Sequence, residues 1–330
     1  MTAAPQGPPR SGEAPGPMWI DVVDGGAHQV VWMGNGAVTL GVVPALGGRI
    51  LSVRIGGREA LWRNTGLLDD ELRPLPGHRP APVSGELADW QNYGGDKTWP
   101  APQGWSGPQE WAGPPDPVLD SGAYAFTTST GGDDVTLTMT SEHDPRTGLT
   151  LSRTVVVAEG SRFVTELTGT NTGDVPVEWS LWNVTQLPGG GDVLVAVDDV
   201  TAEPVELAIG TQAPQWEPFD ESTVRVPRQD VVGKLGFTRA TGTMSYRRNG
   251  LTVTWRHDVD ATAHYPDGGS RTEVWMECPL PEPLDHLGGL NPPDRIVECE
   301  VLSPMTRVQP GESVRLCVVT ELTIDDREVS

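Results

Sequence analysis

The sequence predicts an all-β protein, a large antiparallel β-supersandwich. Strand-length runs of β-branched or alternating residues recur from residue 28 to residue 322, and no segment carries a long amphipathic helical period. The 40 glycines and 31 prolines, spread without a period, supply turns rather than a disordered or collagen-like chain.

Residues 38–43 and 49–55 open the series, separated by Gly47-Gly48 and closed by Gly56-Gly57. Residues 135–140 alternate threonine with apolar residues, and 149–157 and 163–170 continue the pattern on either side of Gly160. Residues 177–187 begin after Pro176 and stop at Pro188. Asn249-Gly250 marks a hairpin with a type I′ turn before residues 251–257. Residues 272–278, 296–302 and 314–322 complete the set, each bounded by Gly, Pro, Asn or Asp. Pro/Gly-rich stretches at 64–85 and 100–118 read as long loops between strands, and such loops are more often functional than merely connective. Residues 1–17, rich in Pro, Gly and Ala, read as a disordered tail before one domain at 18–330.

A net charge of −22 opposes contact with a phosphate backbone, so no nucleic-acid partner is expected. The same charge disfavours anionic membranes, and the apolar runs are strand-sized and interrupted. Cys278, Cys299 and Cys317 lack close metal-ligand spacing and read as reduced core residues of a cytoplasmic protein. No metal and no cofactor is expected, and the oligomeric state stays open.

Residues 90–105 (WQNYGGDKTWPAPQGW) concentrate rings, amides and an Asp-Lys pair, and read as a binding loop. Trp90, Trp99, Trp105 and nearby Trp111 belong to a set of 12 tryptophans in a chain with 4 Phe and 4 Tyr. Lys97 is rarer still. All but two of the 23 basic residues are arginines, the other lysine being Lys234, which suggests a need for a compact ammonium at 97. Asn92, Asp96, Lys97 and Gln103 are candidate partners for ligand hydroxyls, and Tyr93 and Trp99 candidate ring contacts. The competing reading is an ordered proline-rich loop whose tryptophans plug a core edge.

Period-2 geometry puts Glu273, Trp275 and Glu277 on one strand face, and Glu298 and Glu300 on one face of another. Such glutamates ordinarily form a solvent-facing acidic surface. Trp275 between two carboxylates instead suggests a sugar platform.

Four segments together resemble the galactose-mutarotase-like superfamily of aldose and hexose-phosphate epimerases, and more closely a bacterial family within it. They are LGGRILS at 46–52, YGGDKTWP at 93–100, NTGDVP at 171–176, and VECEV at 297–301 followed by QPGE at 309–312. The resemblance implies a supersandwich with a sugar-sized cleft on its concave side and a small-molecule carbohydrate as ligand. In that superfamily a carboxylate takes the anomeric hydroxyl proton and a histidine protonates the ring oxygen. Glu300 matches the carboxylate. Where the histidine is expected the chain reads SLWNVTQ at 180–186, with Trp182 or Asn183 at the approximate place. No histidine lies between His143 and His257. Tyr93 stands where hexose-phosphate epimerases carry an arginine, which speaks against phosphorylated sugars.

His257 shares a strand face with Val253 and Trp255 and reads as a packed core histidine. His264, in a loop, is the better candidate for a cleft. Three functions follow: a sugar epimerase with Glu300 as base and Lys97, His264 or a water as proton donor; a non-catalytic sugar-binding or sensing protein; and a carbohydrate lyase or hydrolase.

Overall fold

A computed structural model describes residues 18–104 and 107–325. The tail assigned to residues 1–17, and Trp105, lie outside the described residues. Among the described residues, twenty-two strands form two antiparallel sheets, of twelve and ten strands, and helix is confined to the short turns Leu87–Asp89 and Asp285–Leu287. No helix among them is long and apolar enough to cross a membrane.

The larger sheet is ordered Trp19–Asp24, Gln29–Gly34, Val38–Val43, Arg49–Ile55, Asp96–Ala101, Val177–Pro188, Ile296–Leu302, Thr272–Glu277, Gly233–Phe237, Val205–Ile209. Arg58–Glu59 and Thr306–Val308 add short pairings beside this path. The smaller sheet is ordered Glu217–Pro218, Thr223–Val226, Asp192–Val197, Ala240–Arg248, Leu251–Arg256, Ser313–Ile324, Arg162–Asn171, Leu149–Val157, Val135–Thr140, Ala125–Thr130. Every run singled out in the sequence is a strand, its ends shifted by no more than a residue or two. Asn249 and Gly250 both take positive φ, 50° and 72°, as the type I′ turn between Arg248 and Leu251 requires.

One reading is corrected. Asp96–Ala101, taken as part of a binding loop, is a strand paired with Val177–Pro188 from Asp96 opposite Thr185 to Ala101 opposite Ser180. On its other side only Asp96 pairs, with Ile50, so from Lys97 onward it behaves as an edge. An edge tolerates Pro100, whose missing N–H removes a ladder donor.

Alternate residues of both sheets fill the core between them, with Leu137, Val155, Leu167 and Val318 in one apolar cluster with Val274, Cys299 and Val301. A polar knot crosses it. Arg153, fully buried on the smaller sheet, pairs with Asp96 Oδ1 and donates to the carbonyls of Gly48 at 2.7 Å and Asp96 at 3.0 Å. Asp96 Oδ2 accepts from Asn183 Nδ2 and Thr185 Oγ1, both at 2.7 Å. Asp96 and Asn183 therefore point toward the smaller sheet, and strand alternation sends Lys97 to the opposite, outer face. Cys278 and Cys299 are buried as expected, but Cys317 is exposed, because Ser313–Ile324 buries alternate residues and 317 falls on the outward register.

Candidate functional site

Strand register assembles two rows of side chains across the outer face of the larger sheet. In the first, Lys97 lies opposite Val184, Val184 opposite Glu300, and Glu300 opposite Glu273. In the second, Gln186 lies opposite Glu298, Glu298 opposite Trp275, and Trp275 opposite Lys234. Directly opposed residues place their Cβ atoms about 4.5–5.5 Å apart, so each row is a chain of contacts. Both lysines of the chain stand on this face.

The lysines organise two ion-pair groups. Lys234 Nζ lies 2.5 Å from Glu273 Oε2, 2.8 Å from Glu300 Oε2 and 4.2 Å from the centre of the Trp182 ring. Trp182 Nε1 donates to the same Glu300 Oε2 at 2.6 Å. Lys97 Nζ lies 3.2 Å from Glu298 Oε1, which also accepts from Gln186 Nε2 at 2.6 Å. Its ammonium sits 4.7 Å from the centre of the Trp99 ring, and Trp99 in turn packs against Trp90, Trp111 and Trp182. Trp275 Nε1 donates to Glu277 Oε2 at 3.1 Å.

The face is closed over its middle. Glu273 and Glu300 are 0% exposed, whereas the Lys234 side chain keeps 14% of its surface in solvent and Trp275 is half-buried. Access therefore lies along the Lys234–Trp275 flank, and a cavity of about 430 Å³ borders Glu277 together with Gln229 and Arg295. A larger cavity, about 700 Å³, lies between Arg146, Glu178 and Arg307 and touches none of these groups.

Burial sets the protonation. It pushes Glu277 up to about 8, with the neighbouring charge of Glu298 adding to the shift. Glu273 and Glu300 are likewise raised by burial, against the pull of Lys234, and Asp267 beside Glu273 is raised for the same reason. Burial alone would depress Lys234, but Glu273 and Glu300 outweigh it and hold the ammonium above the ordinary lysine range. Lys97 goes the other way: burial lowers it, and Glu298 offsets only part of the effect. One group thus fixes the Lys234 cation between two buried carboxyl groups, and the other holds a lysine whose affinity for its proton is weakened by burial.

Of the residues singled out in the sequence, Glu300, Lys97, Trp99, Trp182, Trp275 and Glu277 come together here. Asp96 and Asn183 do not, since their register turns them into the inter-sheet knot. Asn92 folds its side chain back on the Gly94 N–H at 3.1 Å, and Tyr93 is buried in a separate apolar cluster with its hydroxyl on Gln91 and His78. Gln103 is exposed on the proline-rich loop. His264 is exposed, and its backbone carbonyl accepts from Met305 N. His257 is buried, and burial pushes it down to about 4. The glutamates expected on a solvent-facing surface are covered instead. Lys234, Glu273, Glu298 and Gln186 complete the site; the scarcity of lysine, read above for Lys97 alone, is the sequence signal that could have found Lys234.

Gly94 and Gly95 let the backbone approach itself. Both have positive φ, and a Cβ would stand 2.4 Å from the Trp62 carbonyl at Gly94 and 2.3 Å from the Ile50 carbonyl at Gly95. Gly95→Ala is expected to lower stability by about 1–3 kcal/mol, since neither carbonyl is a flexible side-chain end that could yield. Urea denaturation checks it, and an unchanged midpoint would contradict that packing.

The family described as Domain of unknown function (DUF4380) matches residues 28–317. The chain belongs to this family. No curated protein matches the sequence. Among solved structures, this DUF4380 protein is similar to galactose 1-epimerase from Lactobacillus acidophilus, with a TM-score of 0.54 at 12% identity, over 93% of this chain and 99% of that one. A galactose mutarotase-like protein from Lactobacillus casei gives 0.52 at 13% identity, over 92% and 100%. A TPR-domain-containing protein from Parabacteroides distasonis gives 0.56 at 13% identity over 90% of this chain, which spans 47% of that protein's length. The DUF4380 chain thus has a galactose-mutarotase-like fold.

Proposed function

We propose that this DUF4380 protein binds a carbohydrate on the outer face of its larger sheet, at the accessible Lys234–Trp275 flank beside Glu300. The observation that carries the reading is the gathering on one face of both lysines, four glutamates and a set of indole rings. Sugars present hydroxyls that donate and accept and C–H faces that pack on rings, so carboxylates, ammonium groups and indoles complement them on both counts. The likeness of the fold to mutarotases supports the same reading.

A second reading is an isomerase of the aldose 1-epimerase type with Glu300 as base. It is favoured by Lys234 Nζ at 2.8 Å from Glu300 Oε2, a proton carrier in the absence of a nearby histidine. Ring opening needs a base at the anomeric hydroxyl and an acid at the ring oxygen acting together. Glu300 Oε2 already accepts from Trp182, and Lys234 is held in its charged form, which makes it a reluctant donor. Binding without turnover is therefore preferred.

Exchange spectroscopy by NMR on a panel of neutral and amino aldoses separates the two. The expected result is perturbation of protein resonances with no acceleration of anomer exchange. Acceleration that disappears in Glu300→Gln would move the protein to the epimerase reading, and a panel with neither effect would contradict both.

A further inference from the structure

We infer that the sugar bound on this face carries a protonated amine: five carboxyl groups and the unpartnered Gln186 carbonyl, set against two lysines, suit an amino sugar better than a neutral or phosphorylated one. The inference rests on the carbohydrate reading above.

Charge is the first ground. Asp267, Glu273, Glu277, Glu298 and Glu300 lie around Lys97 and Lys234, so acidic groups exceed basic ones by three. The arginines that could favour an anion nearby are already engaged: Arg49 is fully buried against Asp120, and Arg153 is spent on Asp96 across the core. A phosphate or carboxylate ligand at Lys234 would meet the carboxyls of Glu273 and Glu300 directly, with Arg228 and Arg295 lying only on the cavity beside Glu277.

Hydrogen-bonding capacity is the second ground and is independent of the first. Gln186 is 1% exposed, and its amide nitrogen is committed to Glu298 Oε1, which as a carboxyl oxygen requires the NH₂ end. Its Oε1 is then left without a donor. Glu300 Oε1 is in the same position, apart from any proton the carboxyls hold between themselves. Gln186 and Glu300 are diagonal neighbours across the pairing of Val177–Pro188 with Ile296–Leu302, close enough for two long side chains to converge. Glu273 Oε1 is unpartnered as well, and acceptors without donors invite an ammonium, which has three donors and no acceptor. Trp99 Nε1, a buried donor without a partner among the described residues, suits a sugar hydroxyl.

The rings supply the third ground. Lys234 already lies over Trp182, and half-buried Trp275 offers another indole between Glu273 and Glu277 on the accessible flank. Burial pushes Glu277 up to about 8, and an ammonium arriving beside it would favour its ionised form, so binding should release protons to the buffer.

The test is calorimetric titration of the full chain at pH 7 with matched probes: glucosamine and glucose, galactosamine and galactose, mannosamine and mannose, and glucose 6-phosphate. The expected result is that one amino sugar binds roughly tenfold or more tightly than its neutral partner, and that the phosphate binds weakest. Repeating the titration in buffers of different ionisation enthalpy should show proton release. In Gln186→Leu and in Glu300→Gln the advantage of the amine should shrink toward that of the neutral sugar, and thermal melting establishes that each variant is folded. Neutral sugars binding as tightly as amino sugars would overturn the inference and leave the carbohydrate reading standing. No binding by any probe would overturn both.

Discussion

Asp96→Ala is expected to destabilise the protein by about 3–5 kcal/mol, because it leaves the Arg153 guanidinium buried between the sheets without its carboxylate. The loss should not be confined to one contact. Asp96 also accepts from Asn183 and Thr185, so the substitution orphans two further buried donors. Arg153→Ala should cost a similar amount, and the double substitution less than the sum of the two, since each single change leaves the other member stranded. Denaturant melts of the three variants provide the cycle. A loss below about 1 kcal/mol for Asp96→Ala would mean that the pair is solvated and does not join the sheets.

Glu277→Gln should remove a pH dependence. Glu277 is raised by burial from 4.5 to about 8, so the folded state holds its proton where the unfolded chain has released it. Its contribution is fully present below pH 4.5 and is lost as pH rises through 8. The scale of this shift sets an upper bound of about 4–5 kcal/mol on the loss. Glutamine mimics the protonated acid and cannot ionise, so the variant should gain stability relative to the parent on going from pH 5 to pH 9. Melting curves across that range measure it. Parallel pH profiles for the two proteins would place Glu277 in solvent.

The fold was legible because strand alternation is a local signal. VTLTMT at 135–140 declares its buried face without reference to anything distant, and Asn249-Gly250 declares its turn. The same alternation correctly put Glu273 with Trp275 and Glu277, and Glu298 with Glu300. What it could not carry was burial: those glutamates are buried among groups far away in sequence, such as Trp182 and Lys234 against Glu300. Residues 96–101 obey the same period of two, which separates Asp96 from Lys97, but flanking glycines and prolines disguised the strand. Gly233–Phe237 was hidden similarly, its two glycines diluting the pattern around Lys234. The pairing of Lys234 with Glu300 depends on the placement of Thr272–Glu277 between their neighbourhoods, which no local signal encodes.

The most direct measurement of ligand binding at this face uses the indole N–H resonances of the 12 tryptophans. Trp182 and Trp275 donate their indole protons to Glu300 and Glu277, whereas Trp179 donates to the Thr147 carbonyl and Trp255 is packed in the core. Titration with an amino sugar is predicted to shift the Trp182 and Trp275 indole resonances in proportion to occupancy while those of Trp179 and Trp255 stay in place. Saturable binding that leaves Trp182 and Trp275 unmoved would put the ligand elsewhere on the protein and contradict the assignment of this face as its site.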